Sequence, residues 1–275
     1  MPPRASASRR ASRPALRFTG LACGGGDAAA HGASACGACS PSDGAVPIPA
    51  RLATPTSEDL AQETAPLPCV TSHFATPIYR RQLLPGRGSE KVGKLNRELL
   101  AEAQRYCQID EEGHRWSERH YRGGYTSFWS IRQLHRMSSV FMGLERLLNR
   151  HVRRFATFLE FETPESLAMT DCWVNVMPAG TSHDLHLHQC SSISGTYYVQ
   201  TPEGCAGLRF EDPRLDRMMA APRRVARPRR RNREALEVPA RAGDVVLFES
   251  WLRHRVPAGS TDEERVSISF NYHWC

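Results

Sequence analysis

"HDLHLHQCSSISGTYYV", residues 183–199, decides how the rest of the chain is read. Its front half packs His183, His186 and His188 into six positions. Its back half runs through Ile193, Thr196, Tyr197, Tyr198 and Val199, the β-branched and aromatic types that suit a strand. Two histidines separated by one residue on a strand point to the same face. His186 and His188 can therefore grip one ion from a rigid edge, whereas His183 lies outside that register. Asp184 shares the face of His186 and is the alternative source of a carboxylate ligand.

Working outward, the second half of the chain keeps the same texture. "DCWVNVMP", "GLRFED", "ALEVPA", "DVVLFES" and "RVSISFNYHW" are short β-like runs set off by Gly, Pro and Asp. A contiguous block of such runs predicts an antiparallel sandwich or barrel. One run, "SWLRH" (250–254), ends on His254, a third candidate ligand brought back from a distant strand. The last run alternates. Arg265, Ser267, Ser269 and Asn271 face one way; Val266, Ile268 and Phe270 face the other. A polar face on so apolar a strand suggests a lined cavity, with Arg265 and Ser267 placed to hold a carboxylate. The plainer reading leaves these four side chains in water.

The first half changes period. In "SEKVGKLNRELLAEAQRYC" (89–107) and "SSVFMGLERLLNRHVRRFATFLEF" (138–161), apolar residues recur every three or four positions, predicting two amphipathic helices. Ser138 or Ser139 can cap the second, and His151 on its edge reads as an ordinary helix residue. Residues 123–137 read as an aromatic-rich loop, and 69–83 as a short strand. Residues 1–67 are rich in Ala, Ser, Gly, Pro and Arg and poor in aromatics, a composition that cannot offset chain entropy by burial. The expected organisation is a disordered tail over 1–67 and one domain over 68–275. That domain holds a helical part (88–161), a β part (168–275) and an Arg-rich loop (214–234).

The net charge of +7 is unevenly placed. Five arginines in residues 1–20 and seven in "PRRVARPRRRNR" (222–233) supply twelve positive charges, so the remainder carries −5. The basicity belongs to a tail and a loop, which weighs against a nucleic-acid-binding body. No apolar run reaches the length of a membrane span, and a cytoplasmic location is expected. The nine cysteines are scattered; "CGAC" (36–39) lacks a second pair at zinc spacing. Phosphate loops, GxSxG elbows and HExxH helices are absent.

Taken in order, these blocks resemble a bacterial family of Fe(II)/2-oxoglutarate-dependent oxygenases. Its members carry HxHP, SGVYYV, LxFxDPR, GxLxLFPSWLxH and RxSISFN. This chain reads "HLHQ", "SGTYYV", "LRFEDPR", "GDVVLFESWLRH" and "RVSISFN", most densely over 173–271. The resemblance implies a double-stranded β-helix, a jelly-roll or cupin-like core with flanking helices. It implies Fe(II) held by His186, His188 and His254, and 2-oxoglutarate as co-substrate. Arg265, Ser267 and Tyr198 would receive its far carboxylate, and Asn175 would contact its metal-bound end. The implied reaction is hydroxylation of a C–H bond with O2, releasing succinate and CO2. His188 stands where most 2-oxoglutarate enzymes have Asp or Glu. Gln189 and Glu249 replace family prolines at positions that bind nothing. Two rivals remain. One is a three-His cupin-like dioxygenase that does not use 2-oxoglutarate. The other is a non-enzymatic β-sandwich whose Arg run contacts RNA.

Overall fold

A computed structural model describes residues 70–86, 88–121 and 123–274. The expectations for residues 1–67 and for Cys36 and Cys39 lie outside them. Among the described residues, ten strands form two antiparallel sheets. The larger has the order β1-β8-β5-β10-β3-β2, with β1 Tyr79–Gln82, β2 Tyr125–Thr126, β3 Leu167–Met177, β5 Ile193–Gln200, β8 Asp244–Glu249 and β10 Arg265–Trp274. The smaller has the order β4-β9-β6-β7, with β4 His183–His186, β6 Leu208–Glu211, β7 Ala235–Val238 and β9 His254–Val256. Sequence neighbours rarely pair; the chain crosses repeatedly between the two sheets, as in a double-stranded β-helix.

Four α-helices among the described residues accompany the sheets: α1 Gly88–Ile109, α2 Glu111–His120, α3 Leu134–Met137 and α4 Ser139–Phe158. The large sheet is buried on both faces. In β8, Val245 and Leu247 join Leu99, Phe141, Leu144 and Leu148 of α1 and α4 in one apolar cluster. Val246 and Phe248 point the other way, into a second cluster with Leu208, Phe210 and Val256 of the small sheet. Burial on two faces is why this strand reads as an unbroken apolar run. Each such side chain contributes about 1.5–3 kcal/mol. In β10 the helix-facing set is Val266, Ile268, Phe270 and Tyr272, so Arg265, Ser267, Ser269 and Asn271 face the space between the sheets.

Ser138 caps α4, its hydroxyl accepting from the Val140 amide at 3.3 Å. His151 is structural: it bonds Tyr79 Oη through Nδ1 at 2.8 Å and donates from Nε2 to the Leu83 carbonyl at 2.9 Å. Helix α2 falls within the expected helical part, 88–161, but its sequence has almost no apolar stripe. It is set by its ends. Asp110 accepts from the Gly113 amide at 2.9 Å, acids occupy the first turn, and Arg119 and His120 the last, each complementing the helix dipole. The region read as a loop over 123–137 also holds β2 and α3. No helix among the described residues is long and apolar enough to cross a membrane.

Candidate metal centre

Strands β4 and β9 pair antiparallel with His186 directly opposite His254. This register brings residues 68 positions apart into one cross-strand pair. His188 lies just past the end of β4, where its amide donates to the Ser250 carbonyl at 3.0 Å. One nitrogen from each of His186, His188 and His254 falls within 4.8 Å of the others, the only such group among the described residues.

Each ring is tied from behind. Nδ1 of His186 donates to the Asp184 carbonyl at 2.7 Å, and Nδ1 of His254 to the Leu252 carbonyl at 2.9 Å. Nδ1 of His188 donates to Oδ1 of Asn271 at 2.6 Å. An acceptor-only partner forces the proton onto Nδ1, leaving the Nε2 lone pair of each ring free for a metal. Burial is the main cause that depresses all three, and neighbouring rings add to it for His188 and His254. His254 falls to about 2 and His188 to about 4, while His186 is lowered less, its bond to Asp184 opposing. The rings are therefore neutral at physiological pH, the form that ligates. Three imidazoles suit iron, nickel, copper or zinc. The Asp184 side chain stands outside the cluster; its main-chain carbonyl holds the His186 ring, and its carboxylate acts on that ring only through space.

His183 departs from the simple alternation. The register of β4 against β9 is irregular between His183 and His186, and this bulge turns His183 inward. Its ring lies 4.2 Å from that of His186 and edge-on to Tyr121 at 5.0 Å. It lines the same cavity as Trp173, Asn175, Thr196, Phe248 and Ser269. Asn175 sits within reach of the cluster, accepting from Thr126 Oγ1 at 2.9 Å and donating to Ser269 Oγ at 3.0 Å. Trp251, half exposed, belongs to neither cavity nor core.

Arg265 is buried, yet no acid pairs with it among the described residues. Its Nη1 reaches Ser267 Oγ at 3.2 Å and Met177 Sδ at 3.1 Å, and its guanidinium lies 5.0 Å from the centre of the Tyr198 ring. Its Nε, the Tyr198 hydroxyl and the Thr181 hydroxyl are all buried without a partner. Arg265 and Thr181 line one cavity, with Cys205 and Gly259. A buried cation with idle donors around it costs several kcal/mol unless an anion joins it. The arrangement fits a carboxylate. Thr181 escaped the sequence reading because "PAGTSH" is a turn without periodicity. The orienting role of Asn271 escaped it too: the strand's alternation gives its face but not its partner.

Residues 171–271 match the model of a family described as "Putative 2OG-Fe(II) oxygenase". No curated protein matches the chain. Among solved structures, a prolyl-4-hydroxylase from Pseudomonas putida superposes with a TM-score of 0.50 at 16% identity, over 73% of this chain and 94% of that one. HygX from Streptomyces hygroscopicus, solved with nickel, 2-oxoglutarate and hygromycin B, gives 0.45 at 16% identity over 72% and 82%. At such identities the likeness to the hydroxylase is one of fold. The family match covers the strands that carry the cluster. Over residues 171–271, then, the chain is similar to the 2OG-Fe(II) oxygenases, non-haem enzymes that use Fe(II) with 2-oxoglutarate.

Proposed function

We propose that the chain hydroxylates a C–H bond of its substrate, with His186, His188 and His254 holding Fe(II) and Arg265 receiving the far carboxylate of 2-oxoglutarate. The observation that carries this reading is the pairing of two features. Three neutral histidines have their lone pairs free, and on the same inter-sheet side a buried arginine without an acidic partner lies close enough to act electrostatically on the neighbouring His183. Bound iron supplies oxygen activation coupled to oxidative decarboxylation of the co-substrate. The chain supplies the rest. Arg265 and Ser267 orient the carboxylate, with the idle Tyr198 and Thr181 hydroxyls donating to it. Asn175 contacts the metal-bound end. Trp173 and Phe248 keep the cavity apolar around the reacting bond. Asp184, Leu252 and Asn271 hold the ligand rings in the right tautomer.

The catalytic domain is taken as residues 68–275. A cytoplasmic setting, which keeps Fe(II) and thiols reduced, accords with the free cysteines Cys107, Cys172, Cys190 and Cys205.

Anaerobic addition of Fe(II) and 2-oxoglutarate should give a weak visible charge-transfer band, and air should then yield succinate. His186→Ala should abolish both. Arg265→Ala should weaken 2-oxoglutarate about 100-fold, the loss of a buried charge-assisted pair of roughly 3 kcal/mol, while iron still binds. Iron binding without band or succinate would favour the rival in which Arg265 clamps the substrate's own carboxylate.

A further inference from the structure

The β6–β7 hairpin is joined by residues 212–234, where two to five residues suffice for a hairpin. An insertion of this length inside an ordered sheet calls for a function. Its root is pinned. Asp212 N donates to the Glu234 carbonyl at 2.9 Å, and the Arg214 guanidinium grips the Asp212 carboxylate with two bonds of 2.9 Å. It also stands beside the metal centre: Phe210 of β6 is the cross-strand neighbour of His254, and Arg253 contacts Glu211 at 3.3 Å.

Beyond that root, Arg223, Arg224, Arg227, Arg229, Arg230, Arg231 and Arg233 are all exposed. None has an acidic partner among the described residues; the Arg233 side chain is spent only on the Pro228 carbonyl at 3.1 Å. Seven like charges within residues 223–233 repel one another, and an anionic partner would relieve them. All are arginine and none lysine, so each offers a planar fork that matches an oxyanion bidentately. The same insertion exposes aliphatic side chains, Met219 at 89% and Val225 at 75%. Leu187 and Trp251, next to His188 and Ser250, are exposed as well. No aromatic residue or histidine lies within 212–234, so the insertion offers bases no aromatic platform, the usual main source of stacking in single-strand binders. Guanidinium forks interspersed with aliphatic side chains fit carboxylates interspersed with apolar residues.

We propose that this insertion docks an acidic, partly apolar polypeptide segment and so selects a protein substrate for the neighbouring metal centre. The proposal rests on the oxygenase reading and names its substrate class. The full-length chain, loaded with Fe(II) and 2-oxoglutarate under argon, is titrated against a fluorescein-labelled peptide of alternating Glu and Leu. A mixed-sequence single-stranded RNA and a DNA duplex serve as comparators. The peptide should bind more tightly than either nucleic acid, and its binding should weaken as salt screens the arginines. Changing Arg223, Arg224, Arg229 and Arg230 together to Gln should weaken the peptide about tenfold or more. Met219→Ser with Val225→Ser should weaken it several-fold. Neither variant should alter substrate-free 2-oxoglutarate turnover, since no altered residue touches the site. Unchanged peptide affinity in the arginine variant, or tighter binding of RNA or DNA, overturns the docking proposal. Absence of 2-oxoglutarate turnover in the parent chain would instead remove the oxygenase reading, whatever the peptide does.

Discussion

Asn271 carries a disproportionate share of the proposed metal site. Its Oδ1 accepts from His188 Nδ1 at 2.6 Å and from Ser194 Oγ at 2.8 Å, while its Nδ2 reaches Asp171 Oδ2 at 3.4 Å. The amide is thus held on both ends and fixes one ligand's tautomer and tilt. Asn271→Leu should lower Fe(II) affinity about 10–100-fold, the usual cost of losing a partner behind a metal ligand. Competition with a chromophoric chelator reads this directly, and unchanged affinity would mean that His188 is oriented by packing alone. Asn271→Asp keeps an acceptor and should retain most of the affinity. At this scale much was legible. The spacing in "HLH" and the alternation of "RVSISFN" gave the faces of His186, His188, Arg265 and Ser267. What was not legible was which polar atom meets which, because hydrogen-bond partners are chosen by neighbouring strands.

Among the elements, β5 is packed closely on both sides. A Cβ at Gly195 would lie 2.6 Å from Leu247 Cδ2 and Phe270 Cε2 and 2.7 Å from the Val246 carbonyl. The strand is wedged between β8 and β10 with no room for a methyl group. Gly195→Ala should therefore destabilise the protein by about 1–3 kcal/mol through overpacking, read as a lower urea midpoint with an unchanged slope. A variant as stable as the parent would show that the neighbouring strands yield freely. The two long helices were legible because each carries a continuous apolar stripe. Helix α2 was not, since capping and dipole complementarity leave only a faint trace in the sequence. The bulge in β4 was also invisible: one irregular pair in the ladder carries His183 to the cavity side, against the period of two.

For the molecule as a whole, the depressed histidines make stability depend on pH. His183 falls to about 3, His188 to about 4 and His254 to about 2, with burial the largest cause and the other rings adding to it. Arg265 also bears on His183; Asp171 and the Asn271 bond partly oppose the shift at His188. Each of these groups has a lower pKa folded than unfolded. Below the unfolded value of about 6.5 the unfolded chain binds more protons, so stability falls with acid. The melting temperature of metal-free protein should therefore drop between about pH 6.5 and 4. Saturating divalent metal should raise it most near neutrality, where protons compete least. A flat profile across that window would show that the rings are more accessible to water than the folded packing indicates.

The sequence by itself determined the elements and their chemistry: which runs become strands, which helices carry an apolar stripe, and which side chains are fit to bind a metal or a carboxylate. These follow from local periodicity, which depends only on near neighbours in the chain. Tertiary structure alone decided the rest. It set His254 opposite His186, put the Asn271 carbonyl behind His188, and left Arg265 buried beside idle hydroxyls. It also rooted the arginine insertion beside the histidine cluster. Each of these joins residues through strand pairing or sheet packing, and such long-range register leaves no mark on either partner's own stretch of sequence.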